Sequence, residues 1–434
     1  MKTIIESLKK INYRLFLAIL VLMLFPVIYQ TVRINFLGAM PGEWGFNIAS
    51  QLSWVNLFYE VIQEALILPL FFILGKSLGN ITEFENKVKT GLVLTGLIYL
   101  ILSVLLMIFA RPLIVFMAQD KNLIDATVDY IRLETIAALL STLSKFMLAV
   151  LITLKKDNYM YITLAVQMVL SIILDTFLIS NLSFSLKVGV NGIAIANIIV
   201  NSLNLLICVL LLNKENIHIF SKQKMSFGWT KEWLYVGKYS GIESFVRNFA
   251  FMIMIIRMMN LVAEQGNYWV ANNFIWNWLL LPTLALGDLV KKEIGEDKNN
   301  IKTKSVGYFS LCTIFAVLWL ASIPAWKPFL RYVMNVESVD TVFYIATLQT
   351  FFYLTFIFNN TLDSIFYGSG RTDYMLYQSL IVNIFINGTA FILYLNGIFV
   401  PTLFSVSMLF GCGMLADFIA TVVLYRYWRK REAK

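Results

Sequence analysis

The chain has a single histidine, His218, and it lies in a polar stretch between apolar segments. An acyltransferase or phosphatase that relies on an intramembrane histidine therefore has no residue to use. No complete glycine-rich phosphate loop, with a glycine five residues before Gly-Lys-Ser or Gly-Lys-Thr, occurs, which argues against ATP as an energy source. The three cysteines lie inside apolar stretches without disulfide or metal-binding spacing. We therefore do not expect an enzyme.

Charged residues are also scarce. They make up 14% of the 434 residues, against 59% hydrophobic residues, and the mean hydropathy is +0.73. Soluble domains carry about 25% charged residues, so most of this chain must lie in lipid. The apolar runs reach about 20 residues, which indicates helices and not barrel strands. The sequence predicts an all-α integral membrane protein with twelve transmembrane helices, at residues 14–38, 46–76, 90–110, 124–154, 159–180, 188–213, 233–262, 268–290, 304–325, 339–368, 374–396 and 400–426.

The net charge of +9 is explained by where the basic residues fall. With twelve spans, roughly 24 Lys and Arg lie on the side of the N-terminus and about 5 on the other side. This asymmetry predicts a multi-pass protein of the plasma (inner) membrane. Both termini and the basic linker at residues 214–232 are expected to lie in the cytoplasm. The positive charge therefore indicates topology and not a nucleic-acid partner.

The second half of the chain repeats the first. RPLIVFMAQDKNLIDATVDYI, from Arg111, resembles KPFLRYVMNVESVDTVFYI, from Lys327, and KKDNYM resembles GRTDYM. Ala196-Asn197 matches Ala416-Asp417 at a similar offset of about 215 to 220 residues. We expect two pseudo-symmetric six-helix lobes, residues 1–215 and 216–434, around a central cleft. This is the layout of a secondary transporter that works between its halves.

Several motifs resemble those of the multidrug and toxic compound extrusion (MATE) transporters. Span four opens with Tyr130-Ile131-Arg132, and span five contains Ser171-Ile172-Ile173-Leu174-Asp175. Span six opens with the run from Gly189 to Asn197, and a glycine-rich turn at residues 367–372 joins spans ten and eleven. The resemblance covers essentially the whole chain. It implies a V-shaped pair of lobes that exports substrates by alternating access, driven by sodium or protons.

The chain departs from the family at the cation site of the N-terminal lobe. Gln30 stands where many relatives have an acidic residue in span one, and Arg247 where an acidic residue is often found in span seven. Ser171 replaces the asparagine of the span-five motif, and Asn197 replaces the threonine of the span-six motif. Asp175 remains as the charge of this site. The resemblance implies that coupling, or a sodium site, would centre on Asp175.

Thirteen charged residues fall in the middle part of the predicted spans, where each is costly and usually faces a partner or an aqueous cavity. Glu243 and Arg247 are four residues apart with the acid first, the favourable order for a helical ion pair. They form either a local salt bridge or a cavity-lining pair that substrate splits. The complete set is Arg33, Glu60, Glu64, Arg132, Glu134, Lys145, Asp175, Lys238, Glu243, Arg247, Arg257, Asp363 and Asp417.

Glu60 and Glu64 share one helical face, so one of them is expected to carry a proton unless Arg33 or Arg132 neutralises them. Asp175 is the best single coupling candidate, and its alternative is a structural acid neutralised by Arg33. These carboxylates, with Gln30, Ser171 and Asn197, form the predicted coupling set.

Arg33 and Arg257 occupy similar places in spans one and seven. They are expected either to attract an anionic substrate or to pair with acids such as Glu64 or Asp363. Aromatic and amide residues in span eight provide either a stacking surface for substrate or ordinary packing. The predicted substrate cleft comprises Arg33, Glu243, Arg247, Arg257, Asn273, Trp276, Asp363 and Asp417.

The leading hypothesis is a monomeric, ion-coupled exporter of small organic molecules in a lipid bilayer, with no cofactor other than a sodium ion. A flippase for a lipid-linked anionic intermediate is the alternative, favoured by the intramembrane arginines. A membrane scaffold or receptor that transports nothing is the third hypothesis.

Overall fold

Helices form the regular structure throughout the residues that this computed structural model describes, which are 2–40, 44–156, 158–219 and 224–432. A short helix, Lys2–Lys9, precedes twelve long helical segments, which we number as spans one to twelve. Residues 220–223 of the predicted linker lie outside the described residues. The spans are Tyr13–Gly38, Trp44–Gly75, Ile81–Phe116, Lys121–Thr153, Asn158–Leu178, Asn191–Lys214, 230–261, 265–296, Asn300–Tyr332, Val339–Gly368, Thr372–Leu395 and Leu403–Arg431.

Ten of these segments in the described chain are long and apolar enough to cross a membrane. The other two, spans seven and eight, are similar in length but carry more charged and amide residues. Most predicted limits lie within about four residues of the helix ends, and span ten is the same at both ends, but spans three, eight and nine extend six or more residues beyond at least one predicted limit. Span three is longer than predicted because its polar first turns, from Ile81, continue the helix beyond the apolar run.

Four of the spans contain a π-helical segment. These segments interrupt the regular i to i−4 hydrogen-bond ladder and often occur at functional sites. They lie in spans two, seven, eight and eleven, at Gln63–Ile67, Met252–Ile256, Ile275–Leu279 and Val382–Gly388. Two of them contain the predicted site residues Glu64 and Trp276, and a third directly precedes Arg257.

The chain divides into two compact units, and the first comprises Val32–Met252. Its core includes Leu66, Phe146, Leu212 and Trp233. Trp233 at the start of span seven donates its indole N–H to the Leu66 carbonyl oxygen of span two at 2.8 Å. A Cβ atom at Gly237 would lie 1.8 Å from the Ala65 carbonyl oxygen. Only glycine permits this approach, which holds span seven against span two.

The second unit comprises Met1–Thr31 and Ile253–Lys434. Within it, the short N-terminal helix packs on span nine. The Ser7 hydroxyl donates to the Thr303 carbonyl at 3.1 Å and accepts the Gly307 N–H at 2.8 Å. Nearby, Glu293 is 3% exposed and accepts hydrogen bonds from Lys304 and Tyr308.

These compact units differ from the predicted lobes of residues 1–215 and 216–434. The boundaries fall inside spans one and seven, so the first 23 residues of span seven belong with spans two to six. The physical reason is the glycine contact at Gly237, together with Gly241, where an added Cβ would meet the Ala65 Cβ at 2.8 Å. The division into six-span lobes remains a prediction for the working cycle.

Candidate functional site

Arg33 and Asp175 form a two-pronged ion pair inside the first unit. Arg33 Nε donates to Asp175 Oδ2 at 2.7 Å, and Nη2 donates to Oδ1 at 3.2 Å. The two side chains are 11% and 1% exposed. A planar guanidinium matches both carboxylate oxygens at once, which makes this the strong form of ion pair. The structure therefore contains the pairing that was the structural alternative for Asp175.

A second buried carboxylate, Glu134, lies close to this ion pair. Its Oε1 accepts the Asn197 side-chain N–H at 2.8 Å, and it is 3% exposed. Arg33, Tyr130 and Asp175 all lie within electrostatic range of it. The predicted coupling set omitted Glu134, although it was among the charges inside spans. Its position one helical turn after Tyr130 in the span-four motif is the sequence signal that could have identified it.

Arg247 in span seven binds three carboxylates. Its Nε donates to Glu243 at 3.2 Å, Nη1 donates to Glu60 at 3.2 Å, and Nη2 donates to Glu64 at 2.8 Å. The Arg247 side chain is 41% exposed. We call these four residues the Arg247 cluster. It combines the Glu60/Glu64 pair and the Glu243/Arg247 pair, which the sequence analysis had treated separately.

The expected partners of Glu60 and Glu64 were wrong. Arg33 binds Asp175 instead, and Arg132 is exposed and donates to the Met107 carbonyl at 3.3 Å. Arg247 takes their place because the glycines of span seven bring its helix against span two.

Asp363 and Asp417 lie together in the second unit, on spans ten and twelve. The Asn359 amide donates to Asp363 Oδ2 at 3.1 Å and to Asp417 Oδ2 at 2.8 Å. The Gln378 amide of span eleven donates to Asp417 Oδ1 at 2.6 Å. Neither carboxylate forms an ion pair with a Lys or Arg of the described residues. We call these four residues the Asp363–Asp417 cluster.

The remaining predicted residues occupy separate positions. Trp276 donates its indole N–H to the Tyr353 hydroxyl at 3.0 Å, and Asn273 donates to the Trp269 carbonyl of its own helix at 2.8 Å. Both contacts fit the packing alternative for span eight. The others lie within their spans as follows: Ser171 is buried one turn before Asp175, and Gln30 and Arg257 are half-buried.

An apolar groove of about 430 Å³ lies beside the Arg247 cluster, between spans two and seven. Ala65, Ile98, Ile242 and Phe245 line it together with Lys238. Ile242 and Phe245 are 60% and 52% exposed, so this wall faces the surroundings of the unit. The groove is therefore an open, apolar surface of this unit.

The family model named MatE matches residues 74–177. Among solved structures, an inward-facing multidrug resistance MATE transporter of the MOP superfamily is similar with a TM-score of 0.70 at 16% identity, covering 96% of this chain and 97% of that one. The eukaryotic MATE transporter AtDTX14 gives 0.71 at 15% identity, covering 98% and 96%. A MOP superfamily transporter from Pyrococcus furiosus gives 0.68 at 15% identity, covering 99% and 97%. No protein of curated function matches by sequence.

These similarities confirm the predicted resemblance. The chain has the all-helical, twelve-span fold of the MATE transporters of the MOP superfamily, and it is a multi-pass integral membrane protein. Predicted site residues in the described spans form clusters of charged side chains around Arg33, around Arg247, and around Asp363 and Asp417.

Proposed function

We propose that the protein is a secondary active transporter that exports small organic molecules by alternating access. We further propose that a sodium or proton gradient drives it across the plasma membrane, with both termini cytoplasmic. The fold supports transport, since this architecture in its solved relatives belongs to transporters. The charge composition around Arg33 is the observation that supports ion coupling.

The site around Arg33 contains two carboxylates and one guanidinium. Asp175 takes both prongs of Arg33, and Glu134 is left with two neutral partners, the Asn197 amide and the Tyr130 hydroxyl. If both acids are ionised, the site has one net negative charge in the low-dielectric interior of the protein. One sodium ion or one proton compensates that charge, and losing it restores the electrostatic penalty. A site that gains and loses one cation per cycle is what ion-coupled transport requires.

This arrangement assigns different roles to the two acids. Asp175 holds Arg33 in place and keeps its charge matched, while Glu134 binds the coupling cation together with Asn197. Matching Arg33 with Asp175 also removes one of the two fixed positive charges that favoured an anionic, lipid-linked substrate. The exporter is therefore preferred to the flippase.

Proteoliposome assays with the full chain test this function. We expect an imposed sodium or proton gradient to drive movement of organic cations, measured by fluorescent dye flux. Glu134→Gln should abolish the response to the gradient, and Asp175→Asn should reduce it by disturbing Arg33. Asp125→Asn is the matched control. Asp125 is 86% exposed, and its partner Arg111 is also exposed, so this pair is not part of the buried site.

Other outcomes would contradict the proposal. Unchanged gradient dependence in Glu134→Gln would exclude Glu134 from coupling. Transbilayer movement of a labelled lipid-linked sugar, without movement of dyes, would support the flippase. If neither moves while the protein remains folded, a scaffold or receptor is the better hypothesis.

A further inference from the structure

The short N-terminal helix, Lys2–Lys9, lies at the end of the second unit where spans one and nine begin and span eight ends. It crosses span nine in direct contact, because a Cβ atom at Gly307 would lie 2.9 Å from the Ser7 carbonyl carbon. The chain after the helix is fixed as well, since the Asn12 N–H donates to Glu293 Oε1 of span eight at 3.1 Å. The helix is therefore held beside the turn between spans eight and nine.

The surface of this helix combines apolar and basic side chains. Ser7 is 4% exposed against span nine, whereas Ile4 and Ile5 are 41% and 50% exposed. Lys9, at the end of the helix, is exposed too. A helix of this kind lies in the membrane interface, with its apolar side chains at the acyl boundary and its lysines among the headgroups. The ends of three spans, which the helix adjoins, reach that depth when the spans cross a bilayer.

Exposed basic residues extend this surface from the helix to spans one, eight and nine. They are Lys9, Lys10, Arg14, Lys292, Lys298 and Lys302. None of the six forms an ion pair with another described residue, whereas the neighbouring Lys291 and Lys304 bind acids. The exposed acids of the same segments are Glu6, Glu296 and Asp297. The six basic residues therefore exceed the three acids and leave a net positive surface.

The contacts of the helix bring the basic residues of the two segments together. Ser7 and Thr303 lie 296 residues apart in sequence and form a hydrogen bond of 3.1 Å. Lys302 directly precedes Thr303, and Lys9 follows Ser7 by two residues. The two lysines therefore lie within about 20 Å of each other, given the reach of the chain. We call the six basic residues, with Ile4 and Ile5, the N-terminal basic surface.

We propose that the N-terminal basic surface binds the headgroups of anionic phospholipids in the surrounding leaflet. Basic clusters beside the end of a span attract anionic lipids, and a lysine ammonium suits a phosphate as a point charge. Ile4 and Ile5 fit the acyl boundary of the same lipid, which a free anion does not provide. The side of the N-terminus is also the proposed cytoplasmic side, whose leaflet contains anionic lipids.

Retention of radiolabelled phosphatidylglycerol on the purified full-length protein in a neutral detergent tests the inference. We expect unlabelled phosphatidylglycerol to displace the label, and phosphatidylcholine, whose headgroup is neutral overall, to fail at the same concentration. Inorganic phosphate should also fail, because it has no acyl chains for Ile4 and Ile5. Added salt should weaken retention, since exposed charges are screened.

The double variant Lys9→Gln/Lys302→Gln removes one lysine from each segment. Each loss should weaken lipid binding roughly fivefold, which corresponds to about 1 kcal/mol, and the two together roughly 25-fold. Lys121→Gln/Lys187→Gln is the matched control, because it removes the same charge from exposed lysines elsewhere. It should retain lipid like the parent protein. Ile5→Ser keeps every charge and should weaken binding severalfold. Thermal unfolding should be unchanged in all three variants, since the replaced side chains are exposed.

Several results would overturn the inference. Equal displacement by phosphatidylcholine, or unchanged retention in Lys9→Gln/Lys302→Gln, would show that lipid binds without regard to its charge. Unchanged retention in Ile5→Ser, or displacement by inorganic phosphate, would exclude a lipid as the occupant of this surface. The measurement is made in detergent without a gradient, so it is independent of the proposed function. A failure of lipid binding leaves export standing, and a failure of dye flux leaves lipid binding standing.

Discussion

Arg33 and Asp175 lie 142 residues apart in sequence and form a buried two-pronged ion pair with a shortest contact of 2.7 Å. Removing one partner of a buried pair leaves an uncompensated charge, which costs about 3–5 kcal/mol, whereas replacing both by neutral groups is often neutral. The stability of this pair therefore depends on having both members.

The double replacement Arg33→Gln/Asp175→Asn should be more stable than either single variant. We expect each single variant to lose about 3–5 kcal/mol of stability and the double variant to recover most of it. Thermal unfolding in detergent, followed by intrinsic fluorescence, measures the difference. Additive losses in the double variant would show that the two side chains do not depend on each other.

Arg247 is expected to neutralise the three carboxylates that bind it, so that they can lie close together. Arg247→Gln should lower the unfolding temperature, because Glu60, Glu64 and Glu243 then repel one another. Adding Glu243→Gln should restore part of the loss by removing one negative charge. Arg111→Gln is the control, since Arg111 is 55% exposed and binds one exposed acid. If Arg247→Gln were as stable as Arg111→Gln, water would be screening the repulsion among the three carboxylates fully.

Gly237→Ala should disrupt the packing of span seven on span two. The new Cβ would lie 1.8 Å from the Ala65 carbonyl oxygen, so the two helices must separate. Overpacking of this kind costs about 1–3 kcal/mol or more. Gly75→Ala, in span two, meets nothing within 4 Å and should be neutral or slightly stabilising. Thermal stability distinguishes the two, and equal stability would contradict the close contact.

Ser7→Ala should release the N-terminal helix from span nine. The variant loses the two hydrogen bonds of the Ser7 hydroxyl, to Thr303 and from Gly307, at a cost of about 1–3 kcal/mol for both together. Limited proteolysis should then cleave the first twelve residues faster. Ser310→Ala is the control, because its hydroxyl binds only the Val306 carbonyl of its own helix. Unchanged cleavage would show that other contacts fix this helix, for example the hydrogen bond from the Asn12 N–H to Glu293.

One feature of the site could be predicted because it depends on a single helix. Glu243 and Arg247 are one turn apart, and their ion pair is present at 3.2 Å. The pairing of Arg33 with Asp175 was one of two alternatives, because both residues lie at similar depth in their spans. Glu60 and Glu64 were assigned the wrong arginines. Their true partner lies 187 and 183 residues away, and the approach of two glycines to Ala65 that brings it close has no signature in hydropathy.

The sequence by itself determined the helical segments and the set of charges inside them. Lipid cannot satisfy backbone hydrogen bonds, so any apolar run of about 20 residues must close them within one helix, which is a local requirement. Only the tertiary structure decided which charge lies next to which. That choice depends on how closely two helices approach and how each is rotated, as at Gly237 and Ala65. It left Asp363 and Asp417 beside two amides, whereas it placed Asp175 on Arg33, and Glu60, Glu64 and Glu243 on Arg247.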